Sequence, residues 1–241
     1  MRIIRKETTV STNADAHAGR PGDVFAAEFQ TGGRGRLGHR WEAPAGLNLT
    51  FSAVLDDCGR SPAEVSTLPL VAGLAVAKAA EAIIRAVSRS APRHPLGIKW
   101  PNDVLAGGRK LCGILCERGE GTVIAGIGIN VNQTEFPPEL ADRATSLALE
   151  TGCPFDRDGA FEAFLDSLFS LHRRWAESGF AALHRELAAY DILAGRTVAV
   201  RQTDSDAFPA EGLCGGIQPD GTLIVAGEKI HAGEAHVLSR R

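Results

Sequence analysis

The sequence has no Cys-x-x-Cys pair, although it contains five cysteines. An odd number of scattered cysteines excludes a zinc ribbon and a redox dithiol, and it favours a reducing compartment. We therefore expect a cytoplasmic location and no metal site built from protein side chains. Cys112 and Cys116 lie four residues apart, and we interpret them as small buried strand residues.

Long apolar runs and an excess of one charge are also missing. No stretch reaches the roughly 18 uncharged apolar residues that span a bilayer, and residues 1–10 lack a signal-peptide core. We therefore expect no membrane partner. Lys and Arg number 26 against 29 Asp and Glu, a net charge of −3. That balance argues against a chain whose main partner is nucleic acid.

What is present is the composition of a folded globular protein. The chain has 241 residues, of which 44% are hydrophobic, so it can form a core without disulfides or metals. After Gly195 the pattern changes to short alternating strands and turns. We therefore predict an α+β fold with a main domain at 1–193 and a small β module at 194–241, which docks on the main domain because it is short.

Hydrophobic periodicity predicts the main elements. Strands are expected at 24–30, 48–55, 97–100, 110–117, 122–131, 197–201 and 223–225, and helices at 68–87, 158–175 and roughly 179–190.

A glycine- and arginine-rich loop follows the first of these strands. Four glycines and three arginines lie within residues 32–40. Glycine allows the backbone to approach an anion closely, and arginine offers forked donors to phosphate or carboxylate. The loop is therefore a candidate anion-binding segment, with a solvated surface turn as the alternative. We expect it to be mobile when empty and to close over a bound ligand.

The same loop contains Gly33-x-Gly35-x-x-Gly38, which matches the dinucleotide-binding fingerprint. That fingerprint requires a helix directly after the glycines. Residues 39–47 are too few for a crossover helix and contain Pro44 and Gly46, so we reject an oxidoreductase.

Two further segments form, together with this loop, an ordered set of motifs. Residues 97–103 read Gly-Ile-Lys-Trp-Pro-Asn-Asp, and residues 11–13 read Ser-Thr-Asn. Taken alone, Lys99 is more often structural, and Ser-Thr-Asn is more often a helix N-cap. In order, however, the chain carries Ser-Thr-Asn, Gln30 with Gly-Arg-Gly-Arg at 33–36, Trp41, Lys-Trp-Pro-Asn-Asp at 99–103, Lys-Leu-x-Gly-Ile-Leu at 110–115 and Gly-Ile-Gly-Ile-Asn-Val at 126–131.

This ordered set resembles the biotin protein ligase family over the whole chain. Lipoate–protein ligases share the fold class but typically lack the Gly-Arg-Gly-Arg and Lys-Trp-Pro-Asn-Asp pair. The resemblance implies a mixed sheet with flanking helices, akin to class II aminoacyl-tRNA synthetases, and a C-terminal SH3-like β barrel. Many relatives carry an N-terminal helix-turn-helix. Here Ser11 comes after ten residues, so the expectation is the monofunctional form without specific DNA binding. Cys112 stands where relatives often carry alanine.

The resemblance also implies the chemistry. The carboxylate of biotin attacks the α-phosphorus of ATP to give biotinyl-5′-AMP and pyrophosphate. A lysine of a biotin carboxyl carrier protein then attacks the anhydride and releases AMP. We assign charge stabilisation to Lys99, Arg34 and Arg36, with Mg²⁺ bridging the phosphates.

The resemblance implies the binding residues as well. Biotin is expected to contact Ser11, Thr12, Asn13, Gln30, Gly33, Arg34, Gly35, Arg36, Lys99 and Gly113. The nucleotide is expected to contact Arg36, Trp41, Asn102, Asn130 and Asn132, with a strand-end turn as the alternative role of Asn130.

The sequence leaves two alternative functions and two properties to consider. A non-catalytic nucleotide- or phosphate-binding module would explain the loop, but not the full set of segments. A DNA-binding regulator is disfavoured by the charge and by the missing helix-turn-helix. The acceptor carboxylase and the oligomeric state, including a homodimer through a sheet edge, are not decided by the sequence.

Overall fold

A mixed seven-stranded sheet forms the centre of the molecule in the computed structural model, which describes residues 1–88, 92–201 and 210–238. Its strands run in the spatial order β1-β2-β3-β7-β6-β5-β4. Strands β1 and β2 are parallel, and the other neighbours are antiparallel. The strands are Arg2–Thr9 (β1), Asp23–Gln30 (β2), Leu49–Asp56 (β3), Leu96–Lys99 (β4), Asp103–Ala106 (β5), Arg109–Arg118 (β6) and Thr122–Ile129 (β7).

Helices flank this sheet on both faces. The helices are Thr12–Ala16 (α1), Pro62–Val65 (α2), Leu68–Ser88 (α3), Leu147–Thr151 (α4), Arg157–Ser178 (α5) and His184–Ala188 (α6). The apolar faces of α3 and α5 pack together against one side, where Phe51 of β3 meets Phe161 of α5 edge to face at 5.1 Å. The stretch Pro62–Val87 is apolar enough to cross a membrane by composition, but most of it is buried in this core. Helix α1 lies on the opposite side, against Val54 and Ile124.

The alternation along β7 decides what each face can hold. Successive strand residues point to opposite faces, so Ile127 and Ile129 enter the core under the long helices, while Gly126 and Gly128 face the side of α1. The glycines leave a flat strip of backbone without side chains. Other groups can therefore approach the sheet closely there.

A second, five-stranded antiparallel sheet follows the last helix. Its strands run in the order β11-β10-β9-β8-β12, and its apolar residues join the same continuous core as the main sheet. The junction is also bonded through backbone groups, because Ile98 exchanges hydrogen bonds with Tyr190 and Ile192. The strands are Thr197–Arg201 (β8), Ala210–Ile217 (β9), Leu223–Val225 (β10), Glu228–Ile230 (β11) and Glu234–Val237 (β12).

Most predicted elements are confirmed to within a few residues, and two differences have clear causes. The helix expected at 179–190 is broken into a 3-10 turn, Phe180–Ala182, and α6. Gly179 ends α5 at a φ of 75°, and after a turn at Tyr190 the chain forms a β-bridge with Ile98 at Asp191. Strand β5 was not predicted, since it is only four residues long and follows the turn at Pro101. Strands β9, β11 and β12 and the short helices α2 and α4 were also not predicted.

Candidate active site

A buried polar cluster begins at the first turn of α1. Ser11 takes the N-cap position, but its side chain makes no capping hydrogen bond. Thr12 donates from its backbone N to Gln30 Oε1 at 2.7 Å, and its Oγ1 lies 3.1 Å from the same oxygen. The oxygen of the Gln30 amide is therefore occupied, and its Nε2 lies beside Gly33.

Asn13 is held at both ends of its amide. Its Nδ2 donates to Glu117 Oε2 at 2.6 Å, and its Oδ1 lies 2.6 Å from Ser52 Oγ. The amide rests on Gly126, where an added Cβ would be 2.0 Å from Oδ1. The polar atoms of Asn13 are thus bonded within the protein, and its contact with biotin stays a prediction.

Residues 33–41 of the glycine-arginine loop form a narrow hairpin. Trp41 N donates to Gly33 O at 3.1 Å, and Gly35 N donates to His39 O at 2.7 Å. A Cβ at Gly33 would lie 2.3 Å from Trp41 O, so only glycine fits. The chain continues from the hairpin to β3 without an α-helix, which agrees with the rejection of a dinucleotide fold.

Trp41 lies against the glycine strip of the sheet. A Cβ at Gly128 would be 2.2 Å from the indole Cε2, and one at Gly113 would be 3.2 Å from Cζ3. Lys110 Nζ lies over the Trp41 ring, 5.8 Å from the ring centroid. The indole Nε1 is buried without a hydrogen-bond partner in the described part of the chain. Gly113, predicted to contact biotin, is thus covered by Trp41 and Lys110.

Arg36 joins the hairpin to the Lys-Trp-Pro-Asn-Asp segment. Its Nη1 donates to Asn102 Oδ1 at 3.2 Å. Asn102 is fixed in turn, since its Nδ2 donates to Ile114 O of β6 at 2.7 Å. Burial lowers the pKa of Arg36, while the charges of Asp103 and Glu234 act in the opposite direction. Both motifs therefore reach one place on the sheet, 66 residues apart in sequence.

The second sheet supplies groups to the same place. Arg36 Nη1 also donates to Gly233 O at 3.3 Å. Burial and then the nearby charge of Lys99 lower the pKa of His236 on β12. Trp100 Nε1 donates to Gly221 O at 3.1 Å. Nothing in the sequence pattern indicated these contacts.

Two predicted cations remain available to a ligand. Lys99 ends β4 and is partly buried, and Arg34 is exposed on the hairpin. Neither makes an ion pair within residues 1–88, 92–201 and 210–238. In contrast, Lys110 is paired with Asp103, with 2.9 Å between Nζ and Oδ1. Cations without an ion-pair partner among the described residues therefore stand on both segments, the hairpin and β4.

Asn130 and Asn132 both bond the backbone of neighbouring segments. Asn130 is buried and donates from Nδ2 to Thr145 O at 3.0 Å, which corresponds to the strand-end alternative. Asn132 bonds the backbone of Phe155 with both ends of its amide, at 2.8 and 2.9 Å. Both polar atoms of the Asn132 side chain thus bond within the protein, and its contact with a nucleotide stays a prediction.

The predicted residues otherwise gather on the α1 side of the sheet. Sequence reasoning missed the residues that support them: Ser52, Glu117, Gly126 and Gly128. The glycine alternation in β7 was a usable signal for the last two. The sequence also gave a signal for Ser52, because it is a hydroxyl residue in a largely apolar strand. Elsewhere, a cleft of about 310 Å³ lined by Arg5, Arg157 and Phe161 lies beside α5 on the other face.

The chain is similar to known proteins in sequence and in fold. Residues 2–133 match the model of the biotin/lipoate A/B protein ligase family. The bifunctional ligase/repressor BirA of Bacillus spizizenii is 32% identical over 235 residues, covering 92% of this chain and 69% of the relative. The biotin–[acetyl-CoA-carboxylase] ligase of Paracoccus denitrificans is 34% identical, with 91% and 92% covered. Among solved structures, the biotin protein ligase from Aquifex aeolicus in complex with biotin and ATP has a TM-score of 0.82, 29% identity and 98% coverage of both chains.

Proposed function

The chain belongs to the biotin/lipoate A/B protein ligase family, and we propose that the cations on its hairpin and on β4 carry out the adenylation of biotin. It is a biotin protein ligase, which uses ATP to activate biotin and transfers it to a carrier protein. The proposal concerns which residues perform each step.

The first step has an electrostatic obstacle. The carboxylate of biotin must approach the phosphates of ATP, and two unit charges at about 4 Å repel by several kcal/mol at an effective dielectric near 20. Positive groups placed in advance remove this barrier. We assign this role to Lys99, Arg34 and Arg36. Arg36 is already oriented by Asn102, whereas the other two are unpaired among the described residues.

The contact between Arg36 and Asn102 is the observation on which this assignment depends. It joins the two segments that resemble the family most specifically, beside the glycine strip and the second sheet. Once the adenylate has formed, the same cations would hold its phosphate while the acceptor lysine attacks. No side chain needs to act as a covalent nucleophile.

The ring of biotin would be recognised at the other end of the strip. A urea presents both N–H donors and a carbonyl acceptor, and hydroxyl and amide side chains complement both. Ser11, Thr12 and Gln30 provide these groups at the start of α1 and the end of β2. The nucleotide would lie towards Trp41, whose ring offers an aromatic wall.

Mg²⁺ is proposed to enter with ATP. The described residues contain no group of three His, Cys, Asp or Glu side chains that could hold a metal. Mg²⁺ usually keeps several waters and binds substrate phosphates with one or two carboxylates, so this donor set fits it. Asp103, which also pairs with Lys110, and Glu234 are the carboxylates that could contribute, since their charges act on Arg36. The ion would neutralise phosphate charge.

We further propose that the acceptor is a lysine of a biotin carboxyl carrier protein, in keeping with the names of the relatives. We propose a division at 193/194 into a domain like that of a class II synthetase and an SH3-like barrel. A homodimer, no specific DNA binding and a cytoplasmic location are proposed as well. The five free thiols support the last.

Biotin-dependent exchange between ATP and pyrophosphate tests the function. The parent should show exchange only with biotin present, and Lys99→Ala should lose most of it while staying folded. Lys229→Ala removes an exposed lysine paired with Asp220 in the second sheet and should leave exchange unchanged. ATP binding without any dependence on biotin would instead favour a non-catalytic module.

A further inference from the structure

We propose that Glu117, Asn13 and Ser52 form a hydrogen-bond relay that fixes the donor and acceptor polarity of Thr12 and Gln30 towards biotin. The inference rests on the proposed function, because it concerns how the urea is recognised. None of these three side chains needs to touch the ligand, so they are positioning residues.

The relay begins at the carboxylate of Glu117. An ionised carboxylate only accepts hydrogen bonds, so the end of the Asn13 amide beside it, at 2.6 Å, must be Nδ2. The Asn13 amide also donates weakly to Leu115 O at 3.4 Å. Its Oδ1 is thereby turned towards Ser52.

The orientation then passes through two hydroxyl groups. Because Oδ1 of Asn13 can only accept, Ser52 must use its single hydrogen for the 2.6 Å contact. The 2.8 Å contact between Ser52 Oγ and Thr12 Oγ1 therefore requires Thr12 to be the donor. Thr12 has a single hydroxyl hydrogen, so the 3.1 Å separation between Thr12 Oγ1 and Gln30 Oε1 is then a close contact without a hydrogen bond.

The outcome is a defined pattern at the ligand. With its hydrogen directed to Ser52, Thr12 Oγ1 keeps lone pairs that can accept from a ligand N–H. Gln30 Oε1 already accepts from Thr12 N at 2.7 Å, so its Nε2 is left to donate to a ligand carbonyl. An N–H next to a carbonyl is the pattern of a cyclic urea, and a lactone or carbonate would lack the N–H.

Burial makes the relay difficult to replace. Ser52 is fully buried, and Thr12 and Asn13 are 3% and 5% exposed. The Asn13 amide lies directly on Gly126, with no room for a side chain beneath it. Water therefore cannot readily take over a lost contact, and a buried polar group without a partner is costly.

Ser52→Ala tests the relay through substrate kinetics of the exchange reaction. One buried hydrogen bond corresponds to about tenfold in affinity, so the KM for biotin should rise about tenfold, while kcat and the KM for ATP stay within about twofold. The preference for biotin over an analogue methylated at the ureido nitrogens should shrink. Ser66→Ala, at an exposed serine that bonds Ala63 O, should change none of these values.

Glu117 supplies the rescue test. Glu117→Ala should raise the KM for biotin as Ser52→Ala does, whereas Glu117→Gln keeps an acceptor oxygen and should restore most of the affinity. Equal effects of Ala and Gln, or an unchanged KM and analogue preference in folded Ser52→Ala, would overturn the relay. A parallel fall of kcat, both affinities and the melting temperature would indicate a merely structural role. Loss of biotin-dependent exchange in the parent itself would instead overturn the proposed function, and the relay with it.

Discussion

Arg36 and Asn102 are joined by a 3.2 Å hydrogen bond from Nη1 to Oδ1, although 66 residues separate them. Asn102 is fixed to β6 through Ile114 O, so the guanidinium of a glycine-rich hairpin is held by a rigid part of the sheet. A long flexible side chain otherwise loses conformational entropy when it binds an anion. Here part of that cost is met before the ligand arrives.

Retention of the adenylate should depend on this pair. Arg36→Gly removes a charged hydrogen-bond donor, and we expect release of biotinyl-5′-AMP to be faster by about tenfold or more. Asn102→Ala leaves the charge but frees the side chain, so a smaller increase of about threefold is expected. Stopped-flow or filter-binding measurements of adenylate release would check both values.

Asn132→Ala is the matched control for Asn102→Ala. Its amide bonds only the backbone of Phe155 in the described structure, so it should lower the melting temperature without changing release. If Asn132→Ala accelerates release as much as Asn102→Ala does, the separation of structural and ligand-facing asparagines is wrong.

The glycine strip should tolerate no side chain under Trp41. In Gly128→Ala the new Cβ would lie about 2.2 Å from the indole, so the ring must move and the KM for ATP should rise roughly tenfold or more. Gly73→Ala in α3 is the control, because its Cβ would meet Ile114 only at 3.7 Å. That change should leave KM unchanged and raise stability by about 0.5 kcal/mol.

The hairpin should be protected by ligand. It carries Arg34, Arg36 and Arg40 close together, and a bound phosphate would offset their mutual repulsion. Limited trypsin digestion should therefore cut within residues 33–41 more slowly with biotin plus ATP than without them. Equal rates would contradict closure of this loop over the ligand.

The parts predictable from the sequence were those with a local signal. Apolar periodicity located α3, α5 and most strands, and the ordered motifs predicted which segments meet at the site. No local signal showed what Ser52 and Glu117 bond, because their importance comes from contacts with Asn13 across the sheet. Asn102 and Asn132 show the same limit, since both look alike in sequence and differ only in what their amides bond.

The contribution of the second sheet to the site could not be predicted for a similar reason. Its strands were partly foreseen, but the approach of Gly233 to Arg36 depends on how the two sheets pack. No residue pattern encodes that packing in one segment. Arg36 is bonded from two segments that are far apart in sequence, so these contacts can be identified only once the fold is known.

The final prediction concerns stability in acid. Glu186 of α6 bonds Arg174 of α5 and Lys78 of α3, and these two partners lower its pKa from 4.5 to about 2. A carboxyl group with a lower pKa in the folded state stabilises the fold above its unfolded pKa, and this stability is lost as pH falls through the folded value. Because all three side chains are about a third or more exposed, solvent screening limits the effect to about 1 kcal/mol.

Glu186→Gln should therefore unfold at lower urea concentration than the parent at neutral pH, and this difference in stability should disappear as pH falls from about 5 towards 2. Glu162→Gln, at an exposed position of α5, should follow the parent at every pH, and a gap for Glu186→Gln that stays constant with pH would show that its carboxylate charge is not the cause.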